Sequence, residues 1–359
     1  MDSRFSHTSR REFLLGAAGA LGLFESLPAT APAAAAASAA SPSATAAAGQ
    51  PRIGCVSWCF HSFEPGADPE DAIDVMGEIG FDGTELILLG RDDIAGFWTD
   101  ARIDQIRARL ERNRLALAQF VIFQPVVEGL SSTDRAERDR NLDYFEAGCR
   151  IGRKLGAPIV NIVAPWPREI GRSRGYLPRY YELAAPQPGE KFTIEIEPGF
   201  EWDAVWQAYV ETTKACLARA KAHGLKLTIE HHTHCVIPDA SSFLRLWDAV
   251  GDPELGYNMD TGWTLLQREY PPLAIHKVGR RLMNVHVRDI DGTMRRFVHA
   301  GEGVMDFAAI AQALPAVGFS GFLSIEQDKH PGDMRETCRR YLTLMKRCLE
   351  MPPREGAAS

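Results

Sequence analysis

LKLTIE (225–230), ELGYNMD (254–260), RLMNVH (281–286) and GFLSIE (321–326) are four short apolar runs, and each ends on an ionisable side chain: Glu230, Asp260, His286 and Glu326. Runs of this length and composition read as strands buried on both faces, the pattern of a parallel sheet. An acid or imidazole at the tip of such a strand is costly unless something offsets its charge. A shared metal ion would do so.

Working outward from these runs, RIGCVSW (52–58), FDGTELIL (81–88), LALAQFVIF (115–123) and PIVNIVA (158–164) read as four earlier strands. Apolar residues at helical spacing, such as Leu142, Phe145, Cys149 and Gly152, predict helices over 69–79, 101–113, 136–155, 202–223, 240–250, 272–278, 306–317 and 335–349. Gly80, Gly156, Gly224 and Gly318 sit just past four of them, where a C-terminal cap favours left-handed backbone. Eight strand–helix repeats predict an α/β fold, a single (β/α)8 TIM barrel over 51–352. A doubly wound open sheet is the competing arrangement, but it carries a glycine-rich phosphate turn after its first strand. SWCFHSF (57–63) is no such turn. Between Ala164 and Trp202 the loop after strand four is long, and the alternating segment 191–197 is expected to pair with 180–184 as a hairpin insertion.

In such a barrel the catalytic groups come from the C-terminal strand ends, so Glu230, Asp260, His286 and Glu326 are expected to face one mouth. Three carboxylates and one imidazole suit a divalent ion, Mn2+ first, with Mg2+, Co2+ or Zn2+ as alternatives, better than they suit a closed thiolate zinc site. Taken singly, each acid reads equally well as a helix cap or an ion-pair partner of Arg288 or Lys329. Alternation along strand five aims Glu230, His232 and His234 one way and His231 towards the helices. The same alternation aims Arg288 with His286 into the mouth, to hold a substrate oxygen or to pair with Asp289 or Glu326. Glu85, towards the end of strand two, is placed to bond a substrate hydroxyl or to make a plain salt bridge. Trp58, Phe60, Trp166 and Trp263 are expected near the mouth, as flat surfaces for a sugar ring or as core.

FDGTEL (81–86), IEHH (229–232), NMDTGW (258–263), NVHVRD (284–289), HAGEGVMDF (299–307) and GFLSIEQD (321–328) together resemble the xylose isomerase-like TIM barrels, the sugar phosphate isomerase/epimerase family, over nearly all of 51–350. The resemblance implies that Glu230, Asp260, His286 and Glu326 are metal ligands and that Glu230 and Glu326 are the catalytic acid/base pair. It implies a divalent-metal-dependent sugar isomerase or epimerase acting on a ketose or keto-sugar derivative through an enediolate. Two departures stand out. Trp263 occupies the position, three after Asp260, where the epimerases carry histidine, and Arg295-Arg296-Phe297-Val298 replaces the Asp-x-His of the family's three-metal nucleases. Glu85, His232, Trp263 and Arg288 are therefore the expected substrate-binding residues. Arg168, Arg172, Arg174 and Arg179 in the long loop point to a substrate larger or more acidic than a free tetrose or pentose. The alternatives are a dehydratase or β-eliminating lyase on an oxidised (3-keto) glycoside or inosose, and a periplasmic barrel that binds sugar without catalysis.

The remaining sequence bears on location and partners. Ser9-Arg10-Arg11-Glu12-Phe13-Leu14-Leu15, the apolar Ala/Gly stretch after it and small residues at Ala31-Pro32-Ala33 read as a twin-arginine signal peptide over 1–33. Residues 34–50 are an Ala/Ser/Pro-rich linker with too little large apolar surface for a core. Export to the periplasm or another extracytoplasmic space is the expectation. An anchoring helix is the alternative, but the apolar part falls short of the roughly 20 residues a span needs. The formal net charge of −7 argues against nucleic acid, leaving a small-molecule carbohydrate as the expected partner, with self-association open and no stable membrane insertion of the mature domain. Seven cysteines make neither a CxxC metal pair nor an even disulfide framework, and Cys149, Cys216, Cys338 and Cys348 read as small buried apolar residues.

Overall fold

The computed structural model of the protein describes residues 49–167, 169–170, 196–233, 235–292, 297–327 and 332–352. Eight strands, β1 (Arg52–Val56), β2 (Gly83–Leu88), β3 (Ala116–Ile122), β4 (Ile159–Val163), β5 (Lys226–Glu230), β6 (Leu255–Asp260), β7 (Leu282–Val287) and β8 (Phe322–Ile325), close into one barrel. Every neighbouring pair is parallel, and β8 returns to β1 with Arg52 opposite Phe322 and Cys55 opposite Ile325. The principal helices are α1 (Glu70–Ile79), α2 (Asp100–Arg112), α3 (Arg135–Leu155), α4 (Trp202–Ala222), α5 (Ala240–Val250), α6 (Pro271–Val278), α7 (Phe307–Ala313) and α8 (Met334–Glu350). This is the (β/α)8 TIM barrel that the repeat pattern predicts.

The local signals act as expected. Gly80, Gly156, Gly224 and Gly318 all have positive φ, between 68° and 92°, and end α1, α3, α4 and the 3-10 turn after α7. The stretch expected as one helix over 306–317 is instead α7 followed by that turn (Pro315–Val317), because Pro315 cannot continue the helical hydrogen bonding. Helix α3 lies close against the barrel. A Cβ on Gly148 would meet Ile122 Cδ1 at 2.4 Å, so this position has no room for a side chain. Between β4 and α4 the described residues hold one antiparallel bridge, Ile170 to Ile196. The hairpin expected over 180–197 falls mostly on 171–195, outside the described residues, as do Arg168 and His234. No helix among the described residues is long and apolar enough to cross a membrane.

Among the described residues between β7 and α7, one carboxylate gathers four backbone amides, beside a short antiparallel pairing of Asp289–Ile290 with Phe297–Val298. Asp289 Oδ1 accepts from the amides of Ile290 (3.0 Å) and Met305 (3.1 Å), and Oδ2 accepts from those of Gly301 (2.9 Å) and Gly303 (3.0 Å). A Cβ on Gly303 would fall 2.2 Å from both Asp289 Oδ1 and the Ile290 carbonyl, which accounts for glycine in HAGEGVMDF. Asp289 is thus a structural knot and does not pair with Arg288. Asp289→Ala is expected to destabilise the protein by about 2–4 kcal/mol, since it strands several partly or fully buried amide donors. A lower urea midpoint with an unchanged slope checks this; an unaltered midpoint would show that the loop holds itself.

Candidate metal centre and active site

Parallel strands with a common register bring their C-terminal ends to one side of the barrel. Asp260 stands opposite His286 in the β6–β7 pairing, and His286 stands opposite Ser324 in β7–β8, two residues short of Glu326. Glu230 ends β5. One ligating atom from each of Glu230, Asp260, His286 and Glu326 lies within 4.8 Å of all the others, and all four side chains are buried. The structure brings together the four residues that the sequence singles out.

His286 is the pivot. Its Nδ1 faces Glu230 Oε1 at 3.3 Å and Glu326 Oε2 at 3.0 Å, while its Nε2 is held by Glu85 Oε2 at 3.0 Å. Glu85 is itself gripped by Gln119 Nε2 (2.7 Å on Oε2) and Asn284 Nδ2 (2.9 Å on Oε1). Glu85 was expected at a substrate hydroxyl, but it sits wholly buried below the ring, because Leu86, Ile87 and Leu88 still follow it in β2. Its task is to fix the tautomer and plane of His286, as carboxylates behind metal-bound imidazoles do.

Glu230 accepts from Asn161 Nδ2 (2.8 Å) and Asn258 Nδ2 (2.9 Å) on Oε2 and faces His232 Nε2 at 3.1 Å from Oε1. Asn258 in turn accepts from Asn284 (2.9 Å), and Asn161 accepts from Thr228 (2.9 Å). A continuous layer of amides and hydroxyls therefore lies beneath the carboxylates. His232 stacks on Trp263 with ring centroids 4.5 Å apart, and Trp263 meets Phe297 edge-on at 5.9 Å. Trp263, expected to contact substrate directly, is buried behind His232 and acts through it, because its ring is enclosed between His232 and Phe297. His231 faces the helices as alternation requires, against Thr264 Oγ1 (3.1 Å) and the Tyr257 ring. Burial, helped by His232, pushes its pKa down to about 3.

On the other side of the ring, Glu326 Oε1 accepts from Trp58 Nε1 at 2.9 Å and pairs with Arg288 Nη2, and Arg288 Nε lies 2.7 Å from Asp260 Oδ2. Asp260 Oδ1 accepts from the Trp263 amide at 2.9 Å and so also caps the short helix Thr261–Leu266. Arg288 is a buried clamp between two candidate ligands and the Phe297 ring, 4.6 Å away.

The electrostatics follow from this crowding. Burial alone would raise the Glu230 carboxyl, but His286 and His232 outweigh it and hold it well below the usual range. Burial works the same way on Glu326, where Arg288 and then His286 bring the value down to about 2. Burial wins at Asp260, raised to about 6 despite Arg288. For His286 burial is overcome by Glu230, Glu85 and Glu326, which raise its pKa well above normal. Without metal, four buried carboxylates face the Arg288 guanidinium and a protonated His286, and the negative charge left over is what a divalent cation, replacing the His286 proton, would neutralise. Asp260 Oδ2, His286 Nδ1 and Glu326 Oε2 make no well-directed hydrogen bond to protein and converge on one point. That donor set fits a hard or borderline divalent ion.

The amide layer and Trp58 are what sequence reasoning leaves out or assigns otherwise. Gln119, Asn161, Thr228, Asn258 and Asn284 each interrupt an otherwise apolar strand, and that interruption is the available signal, since a buried amide must be bonded. Glu85→Gln is expected to weaken Mn2+ binding by about 10–100-fold with the fold retained. Calorimetric titration beside circular dichroism tests this, and an unchanged affinity would remove Glu85 from the centre.

The comparisons agree with this geometry. The family model for the xylose isomerase-like TIM barrel matches residues 73–347. An inosose dehydratase of Geobacillus kaustophilus is 22% identical over 280 residues, 73% of this chain and 80% of that enzyme. Among solved structures, a D-psicose 3-epimerase from Clostridium cellulolyticum H10 superposes with a TM-score of 0.65 at 16% identity, over 84% of this chain and 100% of the other. A 3-keto-D-glucoside 4-epimerase from E. coli gives 0.63 at 16% identity, over 83% and 100%. These structural likenesses are of fold. With the family model spanning most of the chain and eight parallel strands closing into one barrel, the protein belongs to the xylose isomerase-like TIM barrel family.

Proposed function

We propose that this protein is a divalent-metal-dependent sugar isomerase or epimerase, acting on a ketose or keto-sugar derivative by moving a proton on the carbon beside the carbonyl, with Mn2+ the expected ion. The observation that carries this reading is the pair Glu230 and Glu326, one oxygen of each close to His286 Nδ1, at 3.3 and 3.0 Å. Glu230, Asp260, His286 and Glu326 would hold a divalent ion, which would supply Lewis acidity to a carbonyl and its neighbouring hydroxyl and make the adjacent C–H more acidic.

The chain's own residues do the rest. Without metal, His286 and His232 favour the ionised form of Glu230, and Arg288 and His286 that of Glu326; a bound divalent cation would take over the part of His286. Asn161, Asn258 and His232 fix the plane of Glu230, and Trp58 with Arg288 fixes that of Glu326. Inversion needs one of the pair as carboxylate, to take the proton, and the other in its protonated form, to give one to the opposite face, with exchange with solvent resetting the pair; return of the first proton to the neighbouring carbon isomerises the sugar. The Arg288 guanidinium stabilises negative charge on the enediolate oxygens. Phe63, 46% exposed and 6.3 Å from the Trp58 ring, offers an aromatic surface to a sugar face.

A second reading is favoured by the inosose dehydratase relative, which spans most of this chain. If a β-hydroxyl or aglycone leaves after proton removal, the same residues make a dehydratase or β-eliminating lyase on an inosose or an oxidised (3-keto) glycoside. The metal-loaded protein incubated in deuterated water with ketoses, inososes and 3-keto-glycosides separates the readings. Incorporation of deuterium without loss of water or aglycone supports epimerisation or isomerisation, and its loss supports the lyase. Glu326→Gln is expected to lower turnover by about 10²–10⁴-fold. Full activity in that variant would end the acid/base assignment, and tight binding with no exchange across the panel would leave a sugar-binding barrel.

We also propose that residues 1–33 direct twin-arginine export, on the strength of Arg10-Arg11 and the apolar run behind them. Replacing both arginines by lysine should leave unprocessed precursor in the cytoplasmic fraction; normal processing would refute the route.

A further inference from the structure

Cys149, Cys216, Cys338 and Cys348 read from the sequence as small buried residues and are so, and Cys55, Cys59 and Cys235 are buried and free as well. Three of the seven nonetheless meet. Cys55 lies on β1, Cys59 ends the 3-10 turn that follows it, and Cys338 lies on α8. Gly54, the neighbour of Cys55, pairs with Ser324, so the outward-facing Cys55 enters the layer between barrel and helix. Cys55 Sγ lies 3.9 Å from Cys338 Sγ, and the three sulfurs all lie within 4.8 Å of one another.

We propose that Cys55, Cys59 and Cys338 form a structural site for a thiophilic d10 cation, Zn2+ or Cu+, separate from the carboxylate centre. Three observations carry it. First, metal–thiolate bonds of about 2.3 Å place their sulfurs about 3.8–4.0 Å apart in tetrahedral or trigonal geometry, and the Cys55–Cys338 separation falls there. Second, the Gln327 amide donates to Cys59 Sγ at 3.4 Å, a bond that favours a thiolate. Third, an all-sulfur donor set selects soft cations over the hard ions that suit the carboxylates. With Zn2+ the cluster carries one net negative charge and with Cu+ two, so charge favours Zn2+, whereas three sulfurs match the trigonal coordination open to Cu+ more closely than the four ligands of a structural zinc.

The position gives the site a purpose. Trp58, the neighbour of Cys59, donates to Glu326, and Gln327 follows Glu326 directly. A cation here staples β1, its turn and α8 behind the Trp58–Glu326 contact.

Titration of chelator-treated, fully reduced protein with Cd2+ alone tests the assignment, because cadmium bound to thiolates gives an ultraviolet charge-transfer band and cadmium on carboxylates does not. The expected result is a band saturating at one equivalent, retained in Asp260→Asn and lost in Cys338→Ser and Cys59→Ser. Competition separately with Zn2+ and Cu+ then identifies the preferred ion. Lack of a band in the wild-type protein with all thiols reduced overturns the proposal, and so does a band that persists in both serine variants. A folded wild-type protein isolated under non-reducing conditions with two fewer free thiols and a Cys55–Cys338 linked peptide overturns it in favour of a disulfide. The wild-type arm stands even if a variant fails to fold.

Discussion

Burial of negative charge is the constraint around which the barrel mouth is organised. Glu85, Glu230, Asp260 and Glu326 are all enclosed, and the guanidinium of Arg288 is the cation that reaches two of them. Isolated carboxylates in such surroundings would take up protons or disrupt the fold. Every conspicuous feature nearby answers that problem: the protonation drawn onto His286, the indole N–H of Trp58 on Glu326, the two asparagines on Glu230 and the convergence of unsatisfied donors on one point.

The layer beneath the carboxylates makes that arrangement rigid. From Gln119 through Glu85, Asn284 and Asn258 to Glu230, Asn161 and Thr228, hydrogen bonds cross the barrel lumen without a break. A fully satisfied buried network holds its members in one geometry, whereas a partly satisfied one would be worse than an apolar core. Such order holds the Glu230 carboxylate in one plane, as the proposed proton transfer would require.

Much of this was legible in the amino-acid sequence because parallel strands are continuous apolar runs, and a charged residue closing one is conspicuous. The strand positions, the convergence of Glu230, Asp260, His286 and Glu326 and the side occupied by His231 follow from periodicity and parity. Depth does not. Glu85 and Glu230 have the same side-chain chemistry, yet three more strand residues after Glu85 place it below the ring and turn it into a support for His286. Trp263 was legible as unusual but not as the stacking partner of His232, since that contact depends on how the helix after β6 is seated against β5. The cysteine cluster was hidden for a related reason: its members come from the two ends of the barrel sequence, and only closure makes them neighbours.

That closure has a consequence for how the molecule is built. Glu230, Asp260 and His286 lie on consecutive strands and can come together while the chain is still incomplete. Glu326 meets Trp58 across 268 residues, and Cys338 meets Cys55 across 283. Contacts of such long sequence separation bear the largest loop-closure entropy and tend to form late. The β1–β8 seam is therefore a checkpoint in assembly: a chain released before α8 is complete would hold most of the centre and lack the contacts that finish it. A barrel that has not closed presents unpaired strand edges at β1 and β8.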